Sequence, residues 1–439
     1  MMRIIKKSLP TNLYIWIFLT EITYLAFYLT GFLKKTVGDN SLVVSNNLIY
    51  FFITSLMLVL FYLYTTGHKI FLNDKIKFKH VFMASLVFNI TLFFVWPLTS
   101  NDIFSYIYQT RVITTHHLNP FVVPFSTLTS DILFSVISNK WSVDTAIYGP
   151  AFFFITAPFV KIAQDNLILI VYLLKLLFVL VNLVNVVLVY KISNNKIAAY
   201  LYAICPTFVF EFAGNGHHET IIIFFVLLSL LFLIKERKIK WYLMSIVFLV
   251  VAALIKFYII ILLPLYALFI LRQLKNKQSS MIFMLLAGLI SILEVMIFYL
   301  PFWEGFVVFS RYPNVLNLSN LLASPLVLLN YVLLKQFGVD EFLYWGRVLA
   351  RYSFILIYFI YGVRLLLKNK LNNTEELLYS ISVVIIMLFT TSFNWLMPWY
   401  TTLLTTLVFI YMGYTNNFKW LTKTYALIFV TILVYIILR

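Results

Sequence analysis

Two short polar clusters interrupt an otherwise apolar chain, and both carry groups able to move protons or hold anions. The first follows the apolar run 80–97 and reads Asn101-Asp102, then Tyr106, Thr110 and Arg111. A helix starting near Asn101 places Asp102, Tyr106 and Thr110 near one face, with Arg111 close by. A carboxylate at the membrane–water boundary is positioned to act as a general base on a group presented there. The plainer alternative is an interfacial helix cap made by Ser100, Asn101 or Asp102, with Tyr106 and Tyr108 as belt aromatics.

The second cluster, residues 211–220, holds Glu211, Asn215, Gly216, His217, His218 and Glu219 between two apolar runs. The chain has only 6 histidines, so an adjacent pair carries weight. Adjacent histidines followed by Glu lack the one-turn spacing of a helical zinc site, and no metal is expected. The favoured reading is a set of hydrogen-bond donors for a phosphate or a sugar hydroxyl, with Gly216 permitting close approach. A glycine turn with polar caps is the alternative.

Further candidates are scattered along the chain. Lys256 lies inside an apolar run, where it must snorkel or meet an anion. Glu294 and Glu21 raise the same question. Arg311, in the segment 302–319 with Glu304, offers a planar fork for phosphate or is an ordinary surface arginine. Asn394, Trp395, Pro398, Trp399 and Tyr400 form either an aromatic girdle or a surface for stacking on a sugar ring or lining a lipid groove.

The elements that must position these residues follow from composition. The chain has 439 residues, 62% hydrophobic and 11% charged. Soluble domains carry about 25% charge, so a soluble enzyme is excluded, and so is a disordered chain. An all-α polytopic membrane protein remains. The net charge of +17 sits mainly in short loops, which suits the anionic inner leaflet and gives no reason to expect nucleic acid. Cys205, the single cysteine, lies in an apolar run and reads as a small buried hydrophobe.

Apolar runs long enough to span occupy 12–30, 48–66, 80–97, 167–190, 197–213, 219–235, 280–300, 342–366, 376–392, 398–414 and 422–438. The stretch 241–271 is expected to form two short helices meeting near Lys256, with Pro264 as a second interruption. Segments 147–163 and 320–335 are apolar but short, so each spans or only dips into the membrane.

Lysines and arginines put the N-terminus and the loops around Lys69–Lys79, Lys235–Lys240, Arg272–Lys277 and Lys368–Lys370 inside. This leaves 98–146, 214–218, 301–319 and 393–397 outside. A full crossing by 147–163 would reverse the later loops, and the charge clusters weigh against it. The outer region 98–146 is polar enough to leave the bilayer, yet rich in Phe, Tyr and Ile, as amphipathic surface helices are.

With these residues in place, the sequence resembles the GT-C superfamily of integral-membrane glycosyltransferases, and most of all the prokaryotic polyprenyl-phosphate-mannose-dependent mannosyltransferases. The resemblance rests on Asn101-Asp102, Tyr106, Arg111, Asn119-Pro120, Tyr148-Gly149-Pro150, Asn215-Gly216-His217, Lys256 and Pro398-Trp399-Tyr400, in that order over roughly 80–400. Two departures are visible: three apparent spans precede Asp102, and His218-Glu219 stands where an Asn-Asp or Asn-Glu pair is expected.

The resemblance implies a single transmembrane domain over 1–439, a GT-C-like bundle of about 11–14 transmembrane helices with an extracytoplasmic amphipathic loop. It implies Asp102 as the catalytic base. Asn101, Tyr106, Arg111, Asn119, Tyr148, Asn215, His217, His218, Glu219, Lys256, Arg311, Trp399 and Tyr400 are the implied substrate contacts. The implied reaction is an inverting single displacement that moves a sugar, with mannose expected, from a polyprenyl phosphate to a glycan, lipid or protein acceptor at the outer face. No cofactor is implied beyond the lipid-linked substrate. A polytopic flippase or transporter is the competing class.

The orientation is directly testable. A single cysteine near Asp131, in a Cys205→Ser background, is expected to react with an impermeant thiol reagent from the outer face. Labelling only from the cytoplasmic side would reverse the assignment.

Overall fold

In a bilayer no water is available to satisfy backbone N–H and C=O groups, so long apolar runs fold as helices that satisfy their own. A computed structural model describes residues 13–38, 46–136, 145–274, 276–310, 324–393 and 397–437. Arg311, Asn394 and Trp395 lie outside the described residues. Among those described the chain is helical, with one isolated bridge between Glu304 and Phe306 and no sheet.

In chain order the helices are α1 (Leu13–Gly38), α2 (Asn46–Phe71), α3 (Phe78–Phe93), α4 (Asp102–Thr114), α5 (Pro150–Ala163), α6 (Leu167–Ser193), α7 (Lys196–Ala203) and α8 (Pro206–Val209). They continue as α9 (Glu219–Lys235), α10 (Ile239–Ile255), α11 (Leu263–Gln273), α12 (Lys277–Tyr299), α13 (Pro325–Gln336), α14 (Phe342–Leu367), α15 (Thr374–Thr391), α16 (Pro398–Thr415) and α17 (Leu421–Ile437). A π-turn, Phe210–Gly214, extends α8, and a 3₁₀ turn, Phe257–Leu262, leads into α11.

Among the described residues, 6 helices are long and apolar enough to cross a membrane, and 7 if a bent pair counts as one span. Five further apolar helices are shorter. The chain is a multi-pass membrane protein. Several runs expected to be straight spans are broken, each for a local reason. Run 80–97 stops at Phe93 because Pro97 lacks an N–H and biases the preceding residue away from helix. Run 197–213 bends by 50° at Cys205-Pro206, for the same reason. Cys205 is fully buried there.

The break expected near Lys256 falls on that residue: its backbone is extended and ends α10. Pro264, expected to interrupt, instead sits in the first turn of α11, where its missing N–H costs nothing. The two short segments become α5, with 14 residues, and α13, with 12. At about 1.5 Å per residue neither covers the roughly 30 Å hydrocarbon core.

The chain divides into two compact units. The first comprises 1–103, 171–220 and 412–439; the second comprises 104–170 and 221–411. In the first, α1 packs on α2 and α3, and α3 on α7 and the π-turn. Trp16 packs edgewise on Phe71 at 5.5 Å and donates its indole N–H to the Leu63 carbonyl at 2.9 Å. Tyr64 and Tyr200 stack at 5.7 Å, each hydroxyl donating to a carbonyl of the other's helix. A buried polar ladder crosses the same unit: Tyr202 donates to Asn182 at 2.8 Å, Asn182 to Asn89 at 3.0 Å, and Asn185 to the Thr220 carbonyl at 2.8 Å. Bonds of this kind contribute about 0.6 kcal/mol each on average, and together they fix the rotation of α6 against its neighbours.

In the second unit, α10 packs on α5 and α12, and α14 on α13 and α15. The start of α5 is docked backbone to backbone. Gly149 donates its N–H to the Ile255 carbonyl at 3.0 Å, and a Cβ at Gly149 would stand 2.0 Å from the Leu254 carbonyl oxygen. Gly149→Ala is therefore expected to lower the melting temperature of the detergent-purified protein, with a cost of about 1–3 kcal/mol or more. A variant melting at the wild-type temperature would show that this approach is not required.

Candidate functional site

Asp102 opens α4 because the segment between Phe93 and Asn101 cannot remain helical and the turn is then tied down. Ser100 Oγ accepts the Asp102 N–H at 3.2 Å, so a serine side chain holds the first residue of the helix in place. Asn215 holds the same turn from the other cluster. Its Oδ1 accepts the N–H groups of Leu98 and Thr99 at 3.1 and 3.2 Å, and its Nδ2 donates to Thr99 Oγ1 and Glu211 Oε2, both at 2.8 Å. One buried amide with all its polar atoms engaged thus links the two sequence clusters.

His217 is the centre of the arrangement. Its Nε2 lies 3.2 Å from Glu211 Oε2, while its Nδ1 lies 3.7 Å from Asp102 Oδ2 and 3.8 Å from Glu219 Oε2. His218 Nδ1 is 3.6 Å from Glu219. The side chains of His217, Glu211 and Glu219 are 0%, 4% and 2% exposed, and that of Asp102 is 25% exposed. Asp102 is thus the solvent-facing member of an otherwise buried set. Glu211 reaches it from the π-turn, an irregularity often found at functional sites. Gly216 has φ +74°, and a Cβ there would meet Ile103 at 2.7 Å, so the turn into His217 requires glycine.

Sequence reasoning passed over Lys175, which lies buried in the middle of α6. Its ammonium donates to the Leu92 carbonyl at 3.3 Å and to that of Val95, where α3 ends. Its stem packs under Gly216, 3.2 Å from where a Cβ would be. Lys175 therefore supports the turn before Asp102 and the turn before His217 together. A lysine midway along a 27-residue apolar helix, far from either end, was the available signal.

The remaining candidates lie in the second unit. Arg111 is buried and committed to protein acceptors: Nη2 meets Asp131 at 3.0 Å and Asp165 at 2.8 Å, Nε donates to Asp131, and Nη1 donates to the Gln164 carbonyl at 2.8 Å. The geometry makes it an anchor of the loop that follows α4, which the sequence did not reveal. Burial raises the Asp131 proton affinity, but the Leu133 N–H, His116 and Arg111 outweigh it and hold the carboxyl below its ordinary range. Asn119 also ties loops together, donating to the Phe302 carbonyl at 2.7 Å and to Glu304 at 3.0 Å.

Tyr106 is fully buried, edge-on to Tyr148 at 5.2 Å and to Phe152 at 5.5 Å, so it is not a belt aromatic. Lys256 places its ammonium 3.8 Å from the centre of the Tyr400 ring, a cation–π contact that neither sequence alternative foresaw. Trp399 is buried beside Tyr400, their rings 6.1 Å apart. Asn101 is exposed at the start of α4. Among the described residues no group of three or more His, Cys, Asp or Glu has metal-binding geometry.

Burial works against a charged His217, but the hydrogen bond and charge of Glu211, then Asp102 and Glu219, outweigh it and raise its proton affinity above that of an ordinary imidazole. A histidine raised in the folded state contributes stability that is full below its unfolded value, near 6.5, and is lost as pH rises through the folded value. The melting-temperature gap between wild type and His217→Gln is expected to be widest at pH 6 and to narrow steadily toward pH 9. A gap that is constant or widens with pH would contradict a cationic His217.

The family described as alpha-(1->6)-mannopyranosyltransferase, N-terminal domain, matches residues 29–272, more than half of the chain. Among solved structures, the oligosaccharyltransferase of Archaeoglobus fulgidus, crystallised in complex with zinc and sulfate, is similar at 14% identity and a TM-score of 0.42 over 81% of this chain. The chain spans about half, 51%, of the length of that structure. No curated protein sequence matches it. With the matched region running from α1 into α11 and containing Asp102, His217 and Lys256, the chain belongs to the alpha-(1->6)-mannopyranosyltransferase, N-terminal domain, family.

Proposed function

We propose that the chain transfers a mannosyl residue from a polyprenyl-phosphate donor to a hydroxyl of a glycan, lipid or protein acceptor, at the extracytoplasmic face, with Asp102 as general base. The observation that carries this reading is the position of Asp102: a part-exposed carboxylate backed by a buried imidazole and two buried carboxylates. The family match supplies the class of reaction.

The acceptor hydroxyl is a weak nucleophile and needs to lose its proton as it attacks. Asp102 takes that proton while the hydroxyl oxygen forms a bond to the anomeric carbon. The bond from that carbon to the phosphate oxygen breaks, and its electron pair leaves with the lipid phosphate. One displacement inverts the anomeric configuration. A second carboxylate acting as nucleophile, as in retaining hydrolases, has no part in it.

His217 lies 3.7 Å from Asp102, beyond hydrogen-bond reach, and acts on it as a nearby positive charge. Glu211 and Glu219 favour the charged form of His217 and orient its ring. Asn215, Lys175 and Gly216 hold the two turns together from behind.

Asp102→Asn keeps shape and removes the base. Transfer from polyprenyl-phosphate mannose is expected to fall by about 10²–10⁴-fold, with the melting temperature little changed. Product linkage is read by NMR. Activity within threefold of wild type, in protein that folds and inserts normally, would exclude the role.

A further inference from the structure

A second site lies in the unit formed by 104–170 and 221–411, at the end of the helix pair α14–α15. A half-open groove of about 710 Å³ runs between these helices and Tyr411. Tyr361, Arg364, Leu365 and Lys368 face it from α14 and the residue that ends it, spaced as one helical face. Tyr379, Ser380, Val383 and Met387 face it from α15 with the same periodicity. One end of the groove is cationic; the other is apolar and aromatic.

The charges have different standing. Lys370 pairs with Glu376 at 3.1 Å, and the other oxygen of Glu376 accepts the N–H groups of Leu371 and Asn372 at 2.7 and 3.0 Å. That pair is internal to the turn between the helices. Arg364 and Lys368 are exposed, and among the described residues neither makes an ion pair with an acidic side chain. Glu375 is the one carboxylate on the rim left to oppose them, so the mouth keeps a positive excess. Tyr361 donates to Ser380 at 3.1 Å, which closes the apolar floor beneath the cations.

We propose that this groove binds the headgroup of an anionic phospholipid. Arg364 and Lys368 receive the phosphate, and the Val383, Met387 and tyrosine wall receives the upper acyl chain. Charge complementarity in a fixed place favours this ligand. Lysine-rich loops mark the inner leaflet, where anionic lipids concentrate, and Lys368 and Lys370 belong to such a loop. Arginine adds a planar fork suited to a phosphodiester, and tyrosines sit well at headgroup level. A soluble anion would use the cations but have no need of the apolar floor.

The test uses the full chain in nanodiscs. Phosphatidylglycerol and phosphatidylcholine with identical acyl chains are offered in equal amount, and lipid retained after gentle detergent extraction is counted by native mass spectrometry. Wild type is expected to retain phosphatidylglycerol at least tenfold over phosphatidylcholine. R364Q/K368Q is expected to bring that ratio near one while melting as wild type in neutral detergent. Glycerol 3-phosphate in excess is expected not to displace the lipid. Equal retention of the two lipids by wild type would overturn the proposal whatever the variant does. So would an unchanged ratio in the variant, or full displacement by glycerol 3-phosphate, which would mark a site for a soluble anion.

Discussion

A buried imidazole facing three carboxylates is the constraint on which the site depends. Glu211 and Glu219 are almost wholly out of water and Asp102 mostly so, and three such groups repel one another. At 4 Å and an effective dielectric near 20, a unit charge pair is worth about 4 kcal/mol. A cationic His217 converts part of that repulsion into attraction. A neutral one leaves it uncompensated on top of the several kcal/mol that desolvating each ion costs. The polar scaffold follows from this need. Asn215 fixes the turn that brings Asp102 within reach of the imidazole, Gly216 lets the chain turn tightly enough to bury it, and Lys175 braces both turns.

The helical frame was legible in the sequence because its cause is local. Apolar length forces helix, and the break at Lys256 was expected where it falls; the breaks at Pro97 and Pro206 were not, because both prolines sit in runs otherwise apolar enough to read as continuous spans. The two polar clusters were legible for a related reason. Asp, His, Asn and Glu are rare in such a chain, and each needs an explanation. What they do to each other was not legible. Asn215 bonds to residues more than a hundred positions earlier, and nothing in the local sequence says which turn its amide will meet.

The cations show the same limit more sharply. Arg111, Lys175 and Lys256 look alike in sequence, as positive charges in or beside apolar runs. The structure gives them three fates. Arg111 meets two aspartates and a carbonyl, Lys175 meets the last carbonyls of a helix, and Lys256 lies on an aromatic ring. Each solution requires a partner 20 or more positions away, so spacing alone could not distinguish them. The resemblance made Arg111 an implied substrate contact; Asp131 and Asp165, which hold it, are reached only through folding.

That comparison separates cations that serve the fold from cations available to a ligand. A buried charge is tolerable only when matched, so a matched charge is evidence about the protein itself. Arg364 and Lys368 are exposed, carry no acidic partner among the described residues, and still stand one turn apart on a single face beside an apolar wall. Nothing in the fold requires two unmatched cations there, because α14 and α15 already pack through Leu365, Tyr361 and Ser380. Their cost is low only because water solvates them. A phosphodiester offers the same compensation with better geometry, as a charge-assisted, two-pronged partner for the arginine fork.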